Sequence, residues 1–457
     1  MTFSKYELSE IFDQTITEDI NDICVNSNVI KEKNLFIALN GKQTDGHNFI
    51  CQAINNGAAV VISEKDVPQV EFSRIIKVKS SIEALRKLAK YNIDKSDAKY
   101  IGVTGSVGKT LTKDLIYHIL SNQSKLRNKI YATRKNFNSQ IGLPICAATM
   151  PRNTEYGIFE MGMSAFGEIN KLITIVQPSV SIISRVCEAH LEFFDSIWDI
   201  AKAKSEIFKT EKKQEAAIIP ADSPYTDFFK QEAIACGIKN VFTFCSPNAD
   251  AKVLEYHCVD DHSRIVADIL GKKVKYLIYG NNISLINNSI SSLLGAHIIS
   301  GISLQNLADV LESFEAPPGR GGIIYLENRN ITLIDDSYNA CPTSVRAALY
   351  SLTKYVGRRK ILILGDMLEL GRDAICYHEN LSATIDKCEI DVVFACGFLA
   401  KQLFDNLRGC KKGIWCEDSA ELGEKILERI QNGDSILVKG SNSMKMNYIV
   451  DIIRNSD

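Results

Sequence analysis

Residues 102–110, Gly-Val-Thr-Gly-Ser-Val-Gly-Lys-Thr, constrain the fold of this 457-residue chain more than any other segment. They follow the apolar pair Tyr100-Ile101 and lead into apolar residues at helical spacing, which predicts a strand, a tight glycine turn and a helix in succession. Glycines let successive backbone N–H groups face one point, and the helix N-terminus adds positive potential there. The pattern is typical of polyphosphate binding, with Lys109 meeting the terminal phosphates and Thr110 offering a hydroxyl to magnesium. The sequence therefore predicts that the chain uses ATP.

The match to the general pattern GxxxxGK[ST] is incomplete, because that pattern has a glycine where this chain has Val103. A generic GTPase or kinase is therefore a poorer fit than another kind of ATP-using enzyme. The alternative is a glycine-rich turn that binds nothing, and the closing Lys109-Thr110 pair argues against it.

Composition indicates an ordinary enzyme with small-molecule partners. The chain is 45% hydrophobic and 24% charged, with a formal net charge of −2, which predicts no broad attraction to nucleic acid or anionic membrane. Its thirteen cysteines include no CxxC pair and are expected to be reduced thiols of a cytoplasmic protein. We expect no signal peptide, because the N-terminus lacks an apolar core, and no membrane span, because no long apolar run occurs.

The rhythm of apolar runs predicts an α/β protein with three domains, and the length allows about three domains of ~150 residues. The first, residues 1–97, has the pattern of a small α/β unit. The second, residues 98–316, alternates β-type runs and helical stretches, which predicts a parallel sheet with crossover helices. The third, residues 317–457, opens at Pro317-Pro318-Gly319 and repeats this rhythm, which predicts a second nucleotide-type fold.

Two residues at predicted strand ends are candidates for metal binding. Glu160 closes one β-run and would bring a carboxylate beside Thr110, as a hard cation among phosphates requires. His190 lies just past another run and could bind a second metal or orient a substrate oxygen. The alternatives are a helix-capping carboxylate and a structural histidine.

Lys204 lies at the centre of an apolar helical stripe. A lysine on a buried face has a lowered pKa unless it is paired. Carbamylation by carbon dioxide would turn it into a metal-binding carboxylate; a buried ion pair or a snorkelling side chain is the alternative. Lys202, on the polar side, is expected to form a solvated pair with Glu206. The stripe consists of Ile197, Ile200, Ala201, Ile207 and Phe208.

In the third predicted domain, residues 335–339 (Asp-Asp-Ser-Tyr-Asn) follow an apolar run, and Arg320 precedes that run. Acceptors at a strand end suit a ribose hydroxyl, and an arginine suits a phosphate. A turn capped by an aspartate is the alternative.

Together these stretches resemble the Mur ligases over nearly the whole chain. The resemblance is closest to the family members that add D-alanyl-D-alanine, since the DNPR motif of the ligase that adds diaminopimelate does not occur here. The matching segments are residues 102–110, 136–144, 160–162 with 167–169, 189–192, 203–207, 335–344, 365–371 and 438–441.

The resemblance implies an N-terminal domain for UDP, a central ATPase and a Rossmann-like C-terminal domain. It implies a monomer that uses ATP and Mg²⁺ to join D-alanyl-D-alanine to UDP-N-acetylmuramoyl-tripeptide through an acyl phosphate. No nucleic acid and no membrane insertion are expected. One alternative is a related ligase with another acceptor, including the folylpolyglutamate-type ligases. The other is a catalytically degenerate homologue that binds ATP without turnover. The third residue of the tripeptide, diaminopimelate or lysine, stays open.

The resemblance also implies site residues. The catalytic group is Lys109, His190 and Lys204, and the metal ligands are Thr110, Glu160, His190 and carbamylated Lys204. The ATP site is Gly105, Ser106, Val107, Gly108, Lys109, Thr110, Asn138, Asn288, Arg320 and Asp336. The UDP site is Ser27, Thr44, Asp45, Gly46 and His47. The acceptor site in the C-terminal domain is Asp366, Glu369, His378, Lys439 and Ser441.

The chain departs from the family pattern at several positions. Asn26-Ser27-Asn28 stands where the family has Asp-Ser-Arg, so the uracil contacts differ. The histidine expected near Gly280 is missing, which leaves Asn287 and Asn288 as alternatives for the adenine-facing asparagine.

Overall fold

The computed structural model describes residues 2–41, 44–68, 70–259, 262–355 and 357–456. In these ranges three β-sheets follow one another along the chain, with four, nine and six strands, and helices cover their faces. We call the three parts the N-terminal, central and C-terminal units, each defined by its sheet. The predicted α/β fold is confirmed. No helix in these ranges is both long and apolar enough to cross a membrane.

The sheet of the N-terminal unit is parallel, in the order β1-β2-β3-β4. Its first helix begins with a capping box, in which the Ser4 hydroxyl accepts the Glu7 N–H and the Glu7 carboxylate accepts the Ser4 N–H. The strands are β1 (Asp22–Cys24), β2 (Asn34–Ile37), β3 (Ala58–Ser63) and β4 (Ile75–Lys77), and the helices are α1 (Lys5–Phe12), α2 (Ile50–Asn55) and α3 (Ser81–Asp94).

The central sheet has the strand order β13-β12-β11-β10-β9-β8-β5-β7-β6. Its strands are β5 (Lys99–Thr104), β6 (Ile130–Ala132), β7 (Tyr156–Glu160), β8 (Val180–Ile183), β9 (Ala216–Pro220), β10 (Asn240–Phe244), β11 (Ala251–Val259), β12 (His262–Ile269) and β13 (Lys272–Tyr279). The helices are α4 (Lys109–Ser121), α5 (Gly142–Ala148), α6 (Glu168–Val176), α7 (Ile197–Ser205), α8 (Thr226–Ala235), α9 (Ile283–Ser300) and α10 (Leu304–Ala308).

Strands β5 to β10 are parallel, as predicted, and helices cover both of their faces. Five of the six residues of β5 are buried, which is the continuous apolar run expected of a strand in the middle of a covered sheet. Helices α4 and α9 pack on one face, while α5 and α6 pack on the other together with α3 of the N-terminal unit. The edge is different, because β12 is antiparallel to both of its neighbours, β11 and β13, which the sequence analysis did not anticipate.

The C-terminal sheet has the order β14-β15-β19-β16-β17-β18 and is parallel except for β14. The carboxyl ends of β15 and β19 therefore meet at one edge. The strands are β14 (Gly322–Leu326), β15 (Ile331–Asp336), β16 (Lys360–Gly365), β17 (Val392–Cys396), β18 (Lys412–Cys416) and β19 (Ser435–Lys439). The helices are α11 (Pro342–Leu352), α12 (Ala374–Glu379), α13 (Leu381–Lys387), α14 (Phe398–Asn406), α15 (Ser419–Ile426) and α16 (Asn447–Arg454).

Candidate functional site

A cavity of about 1260 Å³ lies between the central and C-terminal units. Both sheets turn the carboxyl ends of parallel strands towards it, which is where open α/β sheets bind ligands. The predicted site residues that line it are Ser106, Val107, Gly108, Lys109, Thr110, Asn138, Glu160, His190, Asn288, Arg320, Asp336, Glu369, Lys439 and Ser441.

Residues 105–110, which we call the phosphate loop, connect β5 directly to α4. Gly105 and Gly108 have φ angles of +152° and +85°, which strain any residue with a side chain. A Cβ atom on Gly105 would also lie 2.0 Å from Ser184 Oγ. The two glycines therefore allow a turn that packs against β8 and leaves the N-terminus of α4 open to the cavity.

The ammonium group of Lys109 folds back over this loop. It donates hydrogen bonds to the carbonyl oxygens of Gly105 (2.7 Å) and Ser106 (3.2 Å). Burial lowers the pKa of Lys109, while the nearby carboxylate of Glu160 acts in the opposite direction. A phosphate in the loop would supply the negative charge that this half-buried cation lacks.

Glu160, at the end of β7, receives hydrogen bonds from both sides. Thr110 Oγ1 donates to Glu160 Oε2 (2.7 Å), and Asn138 Nδ2 donates to Glu160 Oε1 (2.6 Å). The hydroxyl and the carboxylate are oxygen donors side by side next to the phosphate loop, which is the chemistry that a hard divalent cation requires. The predicted first Mg²⁺ ligands thus come together and fit that ion.

Lys204 is 1% exposed. No carboxylate pairs with it, and no hydrogen bond to its ammonium is found among the described residues. Burial lowers its pKa well below the usual value, and the positive charge of Lys109 lowers it further. Lys204 does not line the cavity. Carbamylation requires the neutral form of an amine, and the lowered pKa favours that form.

The predicted pair between Lys202 and Glu206 is wrong. Helix α7 ends at Ser205, and residues 206–208 form a 3₁₀ turn, so Glu206 does not continue the exposed face. Its carboxylate is buried and accepts the N–H groups of Gly167 (2.7 Å) and Asn170 (3.0 Å) at the start of α6. Lys202 pairs instead with Asp199, at 3.2 Å.

His190 is bonded to a carboxylate of the other unit. Its Nδ1 lies 2.5 Å from Oε2 of Glu369, and the hydrogen bond from His190 lowers the pKa of that carboxyl. The Glu192 N–H donates to the Glu369 carbonyl (3.2 Å). The predicted second-metal residue and one predicted acceptor residue thus meet directly. In the described ranges no group of three or more His, Cys, Asp or Glu side chains is arranged around a common point.

Glu188 forms a second bridge between the units. Its carboxylate accepts hydrogen bonds from the Thr343 hydroxyl and from Arg346, the latter at 2.9 Å. Burial acts to raise the pKa of Glu188, but these hydrogen bonds outweigh it and the pKa is lowered. The sequence analysis missed Thr343 and Arg346 as contact residues, because nothing in a sequence pairs residues 155 and 158 positions apart.

Arg320 and Asp336 reach the cavity from the C-terminal unit. The Arg320 guanidinium lies 4.0 Å from the centre of the Tyr338 ring, which holds its plane against an aromatic face. Asp336, at the end of β15, is 2.7 Å from the ammonium of Lys439, at the end of β19. Burial raises the pKa of Asp336, and Lys439 opposes this shift. These residues carry the charges expected near a nucleotide.

Asp366 and His378 do not line the cavity. The Asp366 carboxylate accepts the Ala400 N–H at the start of α14 (2.7 Å). The His378 ring is fully buried, with Nε2 accepting the Met367 N–H (2.9 Å) and Nδ1 lying 2.6 Å from the Ala374 carbonyl. Their polar atoms are used within the C-terminal unit, so both residues position the segment that carries Glu369. Ser441 contacts the same segment, since its hydroxyl accepts the Leu368 N–H (2.8 Å).

The predicted UDP residues form a separate cluster in the N-terminal unit. His47 Nδ1 lies 2.6 Å from Asp45 Oδ1, and the Asp45 carboxylate also meets the ammonium of Lys65. The hydrogen bond from Lys65 is the main reason why the pKa of Asp45 is well below its usual value. Gly46 packs so closely on Leu39 that a Cβ atom would come within 2.7 Å of its backbone.

The remaining predicted contact residues are two in the N-terminal unit, Ser27 and Thr44, and the two candidates for the adenine contact, Asn287 and Asn288. Ser27 donates to Gln52 Oε1 (3.0 Å) on α2, and the Thr44 carbonyl accepts the Gly41 N–H (3.0 Å). Asn288 on α9 is nearly buried, and its amide lies 3.1 Å from where a Cβ atom on Gly108 would be. Asn287 also lines the cavity, so both candidates for the adenine contact remain.

Family models match the chain in three consecutive stretches. Residues 19–92 match the Mur ligase family catalytic domain, residues 103–294 match the Mur ligase middle domain, and residues 319–442 match the Mur ligase glutamate ligase domain. The three stretches fall on the three units and coincide with the resemblance noted in the sequence.

Similar proteins cover the chain almost completely. The chain is 36% identical to a UDP-N-acetylmuramoyl-tripeptide–D-alanyl-D-alanine ligase of Rickettsia prowazekii over 94% of both chains. The crystal structure of MurF from Acinetobacter baumannii has a TM-score of 0.89 at 26% identity and 99% coverage of both chains. MurF ligase from Thermotoga maritima, solved in complex with ADP, has a TM-score of 0.81 at 26% identity, with 95% of this chain and 97% of that chain covered. The predicted resemblance is confirmed, and the chain belongs to the Mur ligase family.

Proposed function

We propose that this chain is an ATP-dependent ligase that joins D-alanyl-D-alanine to UDP-N-acetylmuramoyl-tripeptide. The observation that carries the proposal is the cavity between the central and C-terminal units, which brings together the phosphate loop, the Thr110–Glu160 pair and the charged residues of the C-terminal unit. The names of relatives such as the Rickettsia prowazekii ligase support the choice of substrates. The ADP complex of the Thermotoga maritima enzyme supports the choice of nucleotide.

In the proposed reaction, the tripeptide carboxylate attacks the γ-phosphate of ATP and forms an acyl phosphate. The amine of D-alanyl-D-alanine then attacks the acyl carbon, and phosphate leaves. Lys109 and the N–H groups of the phosphate loop bind the transferring phosphoryl group and stabilise its negative charge. Arg320 binds a phosphate and Asp336 a ribose hydroxyl, with Asn287 or Asn288 at the adenine and Asn138 near the phosphates.

Thr110 and Glu160 hold Mg²⁺ in this proposal, and the ion offsets phosphate charge when it is bound. We further propose that Lys204 is carbamylated, because it is buried and lacks a partner, and that its carbamate together with His190 forms the surroundings of a second ion. To bind that ion, His190 would have to give up its hydrogen bond to Glu369. Lys109 is the third member of the proposed catalytic group, with His190 and Lys204.

The remaining substrate contacts follow the two outer units. Ser27 and residues 44–47 bind the UDP end in the N-terminal unit, while Glu369, Lys439 and Ser441 act on the acceptor side, with Asp366 and His378 positioning them. We place the reaction in the cytoplasm, where ATP and nucleotide-linked precursors occur, and propose that the chain acts as a monomer.

The deciding experiment measures phosphate release by the purified chain with ATP, Mg²⁺ and UDP-N-acetylmuramoyl-tripeptide, with and without D-alanyl-D-alanine. Tripeptides with diaminopimelate and with lysine are assayed in parallel, and mass spectrometry identifies the product. Release that depends on the dipeptide supports the proposal. Release with single amino acids instead would indicate a sibling ligase, and nucleotide binding without any release would indicate a degenerate homologue.

A further inference from the structure

Two buried cysteines from different units lie in contact beside the cavity. Cys187 Sγ of the central unit is 3.6 Å from Cys341 Sγ of the C-terminal unit, although 154 positions separate them in sequence. Their exposed fractions are 5% and 4%. This is the one hydrogen bond between two thiols in the described ranges, and both sulfurs are free.

The backbone holds each cysteine firmly. The Cys187 N–H donates to Ser106 Oγ (3.2 Å), and the Ser106 hydroxyl donates to the Cys187 carbonyl (3.1 Å), so Cys187 is joined to the phosphate loop. Cys341 is the N-cap of α11, and its N–H donates to Ser344 Oγ (2.9 Å). A covalent bond between the two sulfurs would therefore connect the phosphate loop to α11.

The two thiols differ in reactivity. The hydrogen bond from Cys187 lowers the pKa of Cys341, against the effect of burial, and hydrogen bonds from Ser344 add to the lowering. The same contact, together with burial, raises the pKa of Cys187. Cys341 also lines the cavity, whereas Cys187 does not. Cys341 is thus the thiolate that a small oxidant reaches first.

We propose that Cys187 and Cys341 form a reversible disulfide when the protein meets hydrogen peroxide. The Cys341 thiolate attacks one peroxide oxygen, the O–O bond breaks, and the departing hydroxide takes a proton to become water. The sulfur of Cys187, having lost its proton, then attacks the sulfenic acid sulfur of Cys341, and the S–O bond breaks to release a second water. Two thiols are oxidised and one peroxide is reduced to two waters.

The disulfide would tie the central and C-terminal units together across the cavity. Substrates must enter and products must leave between these units, so we expect turnover to stop while the bond is present. This loss of turnover rests on the proposed ligase function, whereas the disulfide itself does not.

The test is peptide mapping of the full chain after peroxide treatment. Complete tryptic cleavage places Cys187 in residues 186–202 and Cys341 in residues 330–346, with no second cysteine in either peptide. We expect one linked pair of these peptides in the wild type, its disappearance after dithiothreitol, and its absence from both Cys187→Ser and Cys341→Ser. Cys376→Ser, which removes an exposed cysteine of α12, should keep it. Absence of the linked pair under conditions that oxidise Cys376 would overturn the proposal.

Activity is measured on the same samples. We expect turnover to fall in proportion to the linked fraction and to return with dithiothreitol, and we expect no such reversible loss in the two serine variants. Linked protein that turns over as fast as reduced protein would overturn the predicted block. Reduced protein that is itself inactive would contradict the ligase function instead, and the peptide map would still decide whether the disulfide forms.

Discussion

Two lysines that are two residues apart on α7 have opposite surroundings. Lys202 has a side chain 45% exposed and pairs with Asp199, while Lys204 is buried without a carboxylate. The 3.6-residue spacing of apolar residues in the sequence predicted this difference correctly. It could not predict the partner of Lys202, because the α-helix changes to a 3₁₀ turn after Ser205 and the carboxylate of Glu206 accepts an N–H group of a segment distant in sequence.

We expect Lys204→Ala to abolish turnover and Lys202→Ala to leave it near the wild-type rate. The reason is that only Lys204 is both buried and without a carboxylate partner, with a lowered pKa that favours the neutral amine from which a carbamate forms. Short-chain carboxylates added to Lys204→Ala should restore part of the activity by replacing the missing carboxylate. Full activity of Lys204→Ala in the phosphate-release assay would refute the carbamate.

We expect Glu160→Gln to raise the Mg²⁺ concentration required for half-maximal activity on the order of tenfold, equal to about 1.4 kcal/mol of binding free energy. An amide oxygen can keep the hydrogen bond from Thr110, but the variant loses the acceptor for Asn138 and the charge that attracts the ion. Magnesium titrations of the steady-state rate measure the effect. Glu168→Gln is the matched control, since that carboxylate also lines the cavity but accepts the Ser164 N–H.

At the level of elements, the start of α6 depends on a side chain from outside the helix. Gly167 is the N-cap and has no side chain to offer, so the buried carboxylate of Glu206 accepts the N–H groups of Gly167 and Asn170 instead. Such caps satisfy N–H groups that the helix leaves free. The cap could not be found from local sequence because the two segments are 36 to 39 positions apart.

We expect Glu206→Ala to lower the free energy of unfolding of the central unit by about 2 kcal/mol, because two hydrogen bonds to a buried carboxylate are lost. Urea unfolding followed by circular dichroism measures the change. Glu211→Ala, at an exposed position nearby, should stay within about 0.5 kcal/mol of the wild type. Equal stability of both variants would contradict the capping role.

The antiparallel strands β11 to β13 are the elements that the sequence analysis missed. The turn between β12 and β13 contains Leu270 and Gly271, both with positive φ, which matches the two-residue turn of a twisted hairpin. Leucine gives no turn signal, so the local pattern pointed to another crossover unit. Inward and outward residues alternate through most of β13, and this period of two is the signal that was available.

At the level of the whole molecule, the loop of residues 187–192 carries the contacts between the central and C-terminal units. Glu188 bonds to Thr343 and Arg346, and His190 bonds to Glu369. The sequence predicted the three-part α/β architecture, and most of the residues that it named for ATP and metal binding line the cavity, because motifs at strand ends converge in this fold. It could not predict these bridges, which depend on how two separately folded units meet.

We expect Glu188→Ala to weaken this contact and to increase the radius of gyration of the ligand-free protein. Small-angle X-ray scattering measures the change, and Glu192→Ala on the same loop is the control, because Glu192 contacts the other unit through its backbone N–H. An unchanged radius in Glu188→Ala would mean that the remaining contacts hold the units together without this bridge.

The same contact predicts a dependence on pH. The pKa values of Glu188 and Glu369 are both lowered in the structure, so ionised carboxylates favour the contact and protonation opposes it. The radius of gyration should therefore stay constant from pH 7 to pH 5 and rise only below the usual glutamate pKa of about 4.3. A rise already between pH 7 and pH 6 would show that other groups control the contact.

The bonds of Lys109 to the carbonyl oxygens of its own loop have an energetic consequence for selectivity. An incoming ligand gains from this ammonium only if it offers more negative charge than two neutral carbonyls already provide. Adenosine gains nothing from it, whereas each added phosphate does, so affinity should increase steeply along the series from nucleoside to triphosphate, whatever the base contributes.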